Sequence, residues 1–314
     1  MQNEKGLALC AEFFRAYGEP MLARNFAKQR HRIAAGLCGE GSECFGFDDA
    51  LSRDHDFGPR FFLFLTEEDN AAFGYALSRA YAALPREFHG VSVLAQNRVG
   101  APRGGVLTVS DFYRRFTGCP GVPPESLAWL AIPEYALSCA VNGAVFSDPL
   151  GEFSAIRNEL AKGYPPEVRR KKIAARAIEM AQAGQYNYMR CIRHGEAGAA
   201  RMALYGFCNA ALSMLYLLNH RYMPFYKWAL RGAQELPHLQ ELSALIEALL
   251  CSDGSIGGAP ENRARIEKIC ACVAAELQAQ GLSAERCDYL EPHAFSVFSG
   301  ITDQKLRALD IFTG

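Results

Sequence analysis

The chain has 314 residues, of which 50% are hydrophobic and 21% charged, so it can bury a substantial core and form two domains. Its 33 basic and 34 acidic residues give a net charge of -1, which excludes a global attraction to nucleic acid or to an anionic membrane and favours a small partner. Eleven cysteines without any C-x-x-C pair indicate reduced thiols rather than a disulfide framework or a zinc knuckle.

The first ten residues carry Glu4 and Lys5 and lack the apolar run of a signal peptide. The most apolar stretch, residues 202–218, contains Asn209 and Ser213 and is shorter than the roughly 20 clean residues of a membrane span. We therefore expect a buried helix there, a cytoplasmic location and no membrane partner.

Apolar spacing over residues 7–35 predicts two helices, interrupted near Gly18 and Pro20. Thr66, followed by three acidic residues, predicts the capped start of a helix that stops at Pro85. Four short apolar segments predict buried strands, namely residues 33–38, 61–65, 91–94 and 106–109. The order α, β, β, α, β, β indicates a small mixed sheet flanked by helices.

The second half of the chain has a different pattern. Helical periodicity covers residues 133–145, 153–160, 168–193, 199–219 and 261–280, and no strand signal follows Pro165. The predicted fold class is α+β: a mixed domain of residues 1–155 with a small mixed β-sheet, followed by an all-helical domain of residues 156–314.

Two acids stand two residues apart at Asp54 and Asp56. In an extended chain this spacing puts both carboxylates on one face. Such carboxylates repel each other unless a cation lies between them, and magnesium is usually bound by one or two carboxylates together with substrate phosphates. The pair therefore predicts a site for Mg²⁺ or Mn²⁺, although a lone D-x-D is more often a solvated turn.

Upstream of this pair, Gly41 and Ser42 follow a predicted strand. A glycine allows close approach of the backbone, and exposed N–H groups with a serine hydroxyl can hold phosphate oxygens. Phosphate together with a divalent metal ion indicates phosphoryl or nucleotidyl transfer. A dinucleotide-binding turn is excluded, because Gly39 and Gly41 are followed by Gly46 rather than by a glycine three residues on.

The segment LCGEGSECFGFDDALSRDHDF at residues 37–57 resembles the signature of polymerase-beta-like nucleotidyltransferases. Together with GQYNYMR at 184–190 and LLNHRYMPFYKW at 217–228, it also resembles a bacterial family known as domain of unknown function 4037. The resemblance departs from the superfamily in His55, which replaces an aliphatic residue, and in the interruption at residues 58–60.

The resemblance implies that Gly41 and Ser42 bind the phosphates of a nucleoside triphosphate and that Asp54 and Asp56 bind the metal. It also implies a third carboxylate from a neighbouring strand, and residues 106–110 contain none. Asp111 is the nearest candidate for this catalytic role. Ser110 and Asp111 can equally form the cap of the next helix.

Polar residues in the helical half are candidates for substrate contacts. Gln185, Tyr186, Asn187 and Arg190 are predicted to line a pocket for the acceptor, with structural hydrogen bonding between helices as the alternative. Lys227 is predicted to neutralise a triphosphate, with an exposed lysine in a packing cluster at a helix start as its alternative.

A basic run also lies in the helical half, at residues 169–172 with Arg176. We interpret it as a solvated helix face. Because no aromatic residues are interleaved with it, nucleic acid is not an expected partner.

These residues predict a metal-dependent nucleotidyltransferase that moves a nucleoside monophosphate to a small acceptor and releases pyrophosphate. The alternative from another class is a non-catalytic nucleotide-binding or antitoxin-like module that binds a protein partner, which the missing third acid favours.

Overall fold

The computed structural model describes residues 5–49, 58–93, 103–253 and 257–314. The chain divides into two compact units. The sheet unit comprises Met1–Pro123 and Ala136–Lys162, and the helical unit comprises Pro124–Tyr135 and Gly163–Gly314. Where the sequence predicts one boundary after residue 155, the chain crosses between the units three times.

The sheet unit begins with the helices α1 (Gly6–Phe13) and α2 (Glu19–Asn25). A π-helical turn, Phe14–Gly18, joins them without a break. Gly18 is tightly packed, because a Cβ atom there would lie 2.5 Å from the Phe14 ring. The predicted interruption is therefore a widened turn inside a continuous helical segment.

The main sheet has four strands in the order β5-β2-β1-β6. Strand β2 runs antiparallel to β1 and parallel to β5, and β6 runs antiparallel to β1. Their bounds are β1 Ala34–Leu37, β2 Phe62–Leu65, β5 Gly105–Thr108 and β6 Ala144–Ser147. A separate hairpin pairs β3 (Glu87–Phe88) with β4 (Val91–Ser92).

Strands β1, β2, β4 and β5 match the four predicted segments, although β4 belongs to the separate hairpin. Strand β6 lies where the sequence predicts the end of a helix. Helix α7 (Glu134–Val141) stops three residues before β6. Between them, Gly143 has a φ of 67°, a left-handed conformation that ends the helix and favours glycine. The predicted helix over 133–145 is therefore too long.

Both faces of the sheet are covered, which explains why every residue of β1 and β2 is buried. On one face, Phe61 packs against Phe14 of the N-terminal helical segment at a ring distance of 5.2 Å. On the other, Phe64 stacks on Phe153 at 4.2 Å.

The other helices of the sheet unit are α3 (Glu67–Asp69), α4 (Tyr75–Ala82), α5 (Val109–Thr117) and α8 (Glu152–Leu160). Helix α7 crosses the unit boundary. Thr66 caps α3 as predicted, because its side chain accepts from the Asp69 N–H.

The helical unit has no strand among its described residues. Its helices are α6 Ser126–Ala131, α9 Pro166–Met180, α10 Met189–Arg193, α11 Ala197–Leu218, α12 Tyr226–Ala233, α13 Leu242–Leu250, α14 Ala259–Ala279, α15 Leu290–Ser299 and α16 Gln304–Arg307. A π-helical stretch, Ala181–Tyr188, links α9 to α10. The prediction of a mixed sheet domain and a helical C-terminal region is confirmed at this level.

Helix α11 is long and apolar enough to cross a membrane by length and composition alone. Its most apolar window has a mean hydropathy of 1.2, and 67% of that window is buried inside the protein. A helix packed in this way has the burial of a core helix, as the sequence predicted.

The basic run at the start of α9 is buried, which contradicts its interpretation as a solvated face. Arg169, Lys171 and Lys172 are 8%, 0% and 4% exposed. Helix α9 packs against both α11 and α15, so most of its circumference is covered. The charged side chains therefore need partners inside the fold.

Candidate functional site

The predicted phosphate-binding turn follows β1 directly. A short 3₁₀ helix, Glu43–Phe45, is closed by the N–H groups of Cys44, Phe45 and Gly46, which donate to the carbonyls of residues 41, 42 and 43. The N–H groups of Gly41 and Ser42 have no hydrogen-bond partner among the residues that the structure describes. Both residues are half-buried, so this turn presents two donors to an incoming acceptor.

A side-chain amide holds the start of the turn. Asn142 accepts a hydrogen bond from the Gly39 N–H at 2.8 Å and donates one to the Gly39 carbonyl at 2.7 Å. The next residue, Gly143, donates its N–H to the Cys44 carbonyl at 2.8 Å. The connection between α7 and β6 therefore fixes the turn at both ends, a role that no local sequence pattern indicates.

A buried ion pair lies beneath the turn. Arg60 and Glu43 are 4% and 6% exposed, and the Arg60 guanidinium donates directly to the Glu43 carboxylate. Arg60 also donates to the Gly58 carbonyl at 3.1 Å. Burial raises the pKa of the nearby Cys44 thiol well above its usual range, so this cysteine stays a neutral packing residue.

Glycine is required at position 41. Its φ is 135°, and a Cβ atom there would lie 2.5 Å from a carboxylate oxygen of Glu43. Because Arg60 holds that carboxylate, the side chain has no free space to move away. A larger residue at this position would therefore disturb both the turn and the ion pair.

The strand register places Asp111 at the other end of the sheet. Gly36 pairs with Phe62, and Phe62 with Gly105, so the turn after β1 lies near the starts of β2 and β5. Asp111 instead follows the end of β5, in the first turn of α5. There Thr108 caps the helix by accepting from the Asp111 N–H, and Arg114 pairs with the Asp111 carboxylate at 3.0 Å.

Asp111 is thus not brought beside Gly41 and Ser42, and its geometry is that of a helix start. The sequence had left this alternative open, although the capping residue is Thr108 rather than Ser110. Asp54 and Asp56 lie outside the described residues. Within the described ranges, no group of three or more His, Cys, Asp or Glu side chains is placed to hold a metal ion.

The predicted acceptor residues lie on and just after the π-helical stretch of the helical unit. The side chain of Gln185 is used structurally, since it donates to Glu267 at 2.8 Å and accepts from the Leu290 N–H at 2.9 Å. Arg190 donates to the Tyr186 hydroxyl at 3.3 Å, and both are exposed. Asn187 is half-buried. Lys227 is exposed in the first turn of α12.

A cavity of about 670 Å³ lies within the helical unit, and sequence reasoning missed it. Its wall includes Leu130, Ile132, Leu212, Met223 and Pro224. Exposed aromatic side chains of Tyr135, Tyr205, Phe225 and Tyr226 also line it. None of Gln185, Tyr186, Asn187 or Arg190 borders this cavity.

Charged side chains form part of the lining. Glu134 opens α7, while Lys172 and Arg176 project from α9 one helical turn apart. The Glu134 carboxylate accepts from the Ser213 hydroxyl at 2.7 Å and lies 3.9 Å from the Lys172 ammonium. Burial lowers the pKa of Lys172, an effect that the nearby Glu134 carboxylate partly offsets.

Comparisons with known proteins give one match. Residues 129–229 match the family model of a domain of unknown function, DUF4037. No curated protein matches the chain, and no solved structure matches it. All residues that line the cavity fall inside the matched segment except Leu230, Leu250 and Gly314.

Proposed function

We propose that the chain is a metal-dependent nucleotidyltransferase that transfers a nucleoside monophosphate from a nucleoside triphosphate to a small acceptor. The observation that carries the proposal is the turn at Gly41 and Ser42. It presents two N–H groups without a partner among the described residues, together with a serine hydroxyl, after the end of β1, and such groups can bind phosphate oxygens.

The position of the acidic pair in the sequence supports the proposal. Strand β2 starts beside the end of β1, and Asp54 and Asp56 directly precede Gly58 and β2 in the sequence. A divalent ion bound by these two carboxylates would neutralise charge that develops on the transferred phosphorus. The chain itself would bind and orient the phosphates through the backbone at residues 41 and 42.

A second candidate function is nucleotide binding without turnover. It is favoured by the position of Asp111, because this candidate for the third carboxylate of the polymerase-beta-like superfamily lies at the opposite end of the sheet from the turn. Both functions predict metal-dependent binding of a nucleoside triphosphate, and only the first predicts release of pyrophosphate.

The test is a screen of the purified protein with each nucleoside triphosphate, Mg²⁺ or Mn²⁺, and a metabolite extract. Nucleotidyl transfer predicts pyrophosphate release together with a product heavier by one nucleoside monophosphate. Metal-dependent binding of a triphosphate without either signal would support the second candidate, and no binding at all would contradict both.

A further inference from the structure

The cavity of the helical unit contains a buried lysine whose position differs from that of its neighbours. Helix α9 carries four basic side chains on its covered faces, of which Arg169, Lys171 and Lys172 are buried and Arg176 is half-buried. Arg169 donates to the Leu217 carbonyl at 2.7 Å, and Lys171 donates to the Asp310 carbonyl at 2.6 Å. Arg176 donates to Glu179 at 2.6 Å and to the backbone oxygen of Gly314. Each of these three therefore has an acceptor inside the fold.

Lys172 differs from these three because it has no hydrogen-bond acceptor among the described residues. Its side chain is 5% exposed, its ammonium lies 3.9 Å from the Glu134 carboxylate, and it faces the ring of Tyr164 at 5.2 Å. An ammonium group carries three donors. Lys172 borders the cavity, so these donors are available to water or to a bound group.

Glu134 has a carboxylate oxygen that accepts no hydrogen bond among the described residues. One of its oxygens accepts from Ser213, whereas Oε2 is buried without a partner in the described parts of the chain. Both side chains border the cavity, so its lining combines donors on Lys172 with a carboxylate acceptor on Glu134. A hydroxyl group is the smallest neutral group that accepts and donates at once.

The charges around the cavity select against an ionic ligand. Lys172 is balanced by Glu134, and Arg176 is balanced by Glu179. A carboxylate or an ammonium would add an unbalanced charge to a partly desolvated site, whereas a neutral group adds none.

The remaining lining fits an apolar body. Aliphatic side chains cover the wall, and the exposed aromatic rings of Phe225 and Tyr135 lie 5.8 Å apart, with Tyr226 packed against Phe225 at 4.4 Å. A largely apolar cavity with a few convergent polar groups is the usual form of a small-molecule site.

From these observations we propose that this cavity binds a neutral, largely apolar small molecule through a hydroxyl group that contacts Lys172 and Glu134. The proposal does not depend on nucleotidyl transfer, because the binding site lies within the helical unit and its test uses no nucleotide.

The test uses four probes on one scaffold: 2-naphthylmethanol, 2-methylnaphthalene, 2-naphthoate and 2-naphthylmethylammonium. Their affinities for the full chain are compared by saturation-transfer NMR with competition. We expect the alcohol to bind at least tenfold more tightly than each of the other three. Methionine-methyl labelling locates the site, because the Met223 signal should shift with the alcohol while that of Met21, in the sheet unit, should not.

Charge-changing variants sharpen the test. Glu134→Gln should move the preference toward the carboxylate probe, and Lys172→Met should move it toward the ammonium probe, each by about tenfold or more. The exposed residues Glu247 and Lys268 give matched controls, Glu247→Gln and Lys268→Met, which should keep the selectivity of the unchanged protein.

The measurements on the unchanged protein keep the proposal falsifiable even where a variant fails to fold. Binding of none of the probes would overturn it, as would equal binding of the alcohol and the hydrocarbon or a preference for either ion. A shift of selectivity in the control variants as large as that in the cavity variants would overturn the role given to Lys172 and Glu134.

Discussion

Each of the two units buries a glutamate beside a basic residue, and the two pairs differ in how they meet. In the sheet unit, Arg60 and Glu43 are in direct contact, and the guanidinium also donates to a backbone carbonyl at 3.1 Å. In the helical unit, Lys172 and Glu134 stand 3.9 Å apart without a hydrogen bond between them.

This difference separates a structural pair from a binding pair. Removing one partner of a buried ion pair in direct contact leaves an uncompensated charge and is strongly destabilising. A separated pair at a cavity keeps its donors and acceptors for water or a ligand. Arg60 therefore maintains the turn at Gly41 and Ser42, whereas Lys172 is available to a bound molecule.

Matched substitutions should give the largest contrast between the pairs. We expect Arg60→Met to lower the free energy of unfolding by about 3–5 kcal/mol, because Glu43 stays buried without its partner. Lys172→Met should lower the free energy of unfolding clearly less, because the Glu134 carboxylate still accepts the hydrogen bond from the Ser213 hydroxyl. Urea unfolding followed by circular dichroism compares the two, and equal losses would remove the distinction.

The turn itself should be sensitive at one glycine and tolerant at another. Gly41 has a φ of 135°, and Gly41→Ala adds a Cβ atom 2.5 Å from the Glu43 carboxylate. This variant should lower the free energy of unfolding by about 1–3 kcal/mol. Gly46→Ala is the control, because no atom lies within 4 Å of the position of its Cβ atom. Its left-handed φ of 73° disfavours alanine, so this variant should lower the free energy of unfolding by about 1–2 kcal/mol or less.

Thermal unfolding and triphosphate binding are measured for both glycine variants. We expect triphosphate binding to fall in Gly41→Ala and to persist in Gly46→Ala. The reverse order would mean that the phosphates do not lie against residue 41.

A smaller effect on the free energy of unfolding is expected from Lys171. Its ammonium donates to backbone carbonyls and forms no ion pair among the described residues. Burial lowers its pKa from 10.5 to about 8, so the folded protein binds fewer protons than the unfolded chain between these pH values. The free energy of unfolding should therefore rise as the pH increases from about 8 to 10.5. The stability gained over this pH range should be lost again as the pH falls through 8.

The variant Lys171→Met should lack that pH-dependent contribution, and Lys268→Met should retain it. Thermal melts of the three proteins from pH 7 to pH 10 measure the difference. Parallel curves for Lys171→Met and the unchanged protein would contradict the assignment.

The sequence predicts the elements whose cause is local. The cap formed by Thr66 depends only on the three residues that follow it, since its side chain accepts from the Asp69 N–H. Strands β1 and β2 are recognisable because they are continuous apolar segments, and every residue in them is buried. Strand β6 was missed because its residues 144–147 directly follow a helical pattern, and only pairing with β1 makes them a strand. Tertiary pairing of this kind leaves no local periodicity to detect.

The candidate sites divide in the same way. Gly41 and Ser42 are recognisable because a turn of this kind is local, whereas Asn142 reaches Gly39 across 103 residues. The basic run of α9 was interpreted as solvated, because burial by α11 and α15 cannot be seen in a helix's own sequence. The cavity at Lys172 and Glu134 depends on that same packing, so it cannot be recognised from the sequence alone.

We propose that the turn at Gly41 and Ser42, together with Asp54 and Asp56, binds a nucleoside triphosphate with a divalent ion. Calorimetry with non-hydrolysable triphosphate analogues, with and without Mg²⁺, measures this binding. We expect metal-dependent binding of at least one analogue, and we expect Asp54→Asn with Asp56→Asn to weaken it at least a hundredfold while circular dichroism stays unchanged. Unchanged affinity and unchanged metal dependence in that double variant, or no binding to the original protein, would show that the triphosphate is not bound there.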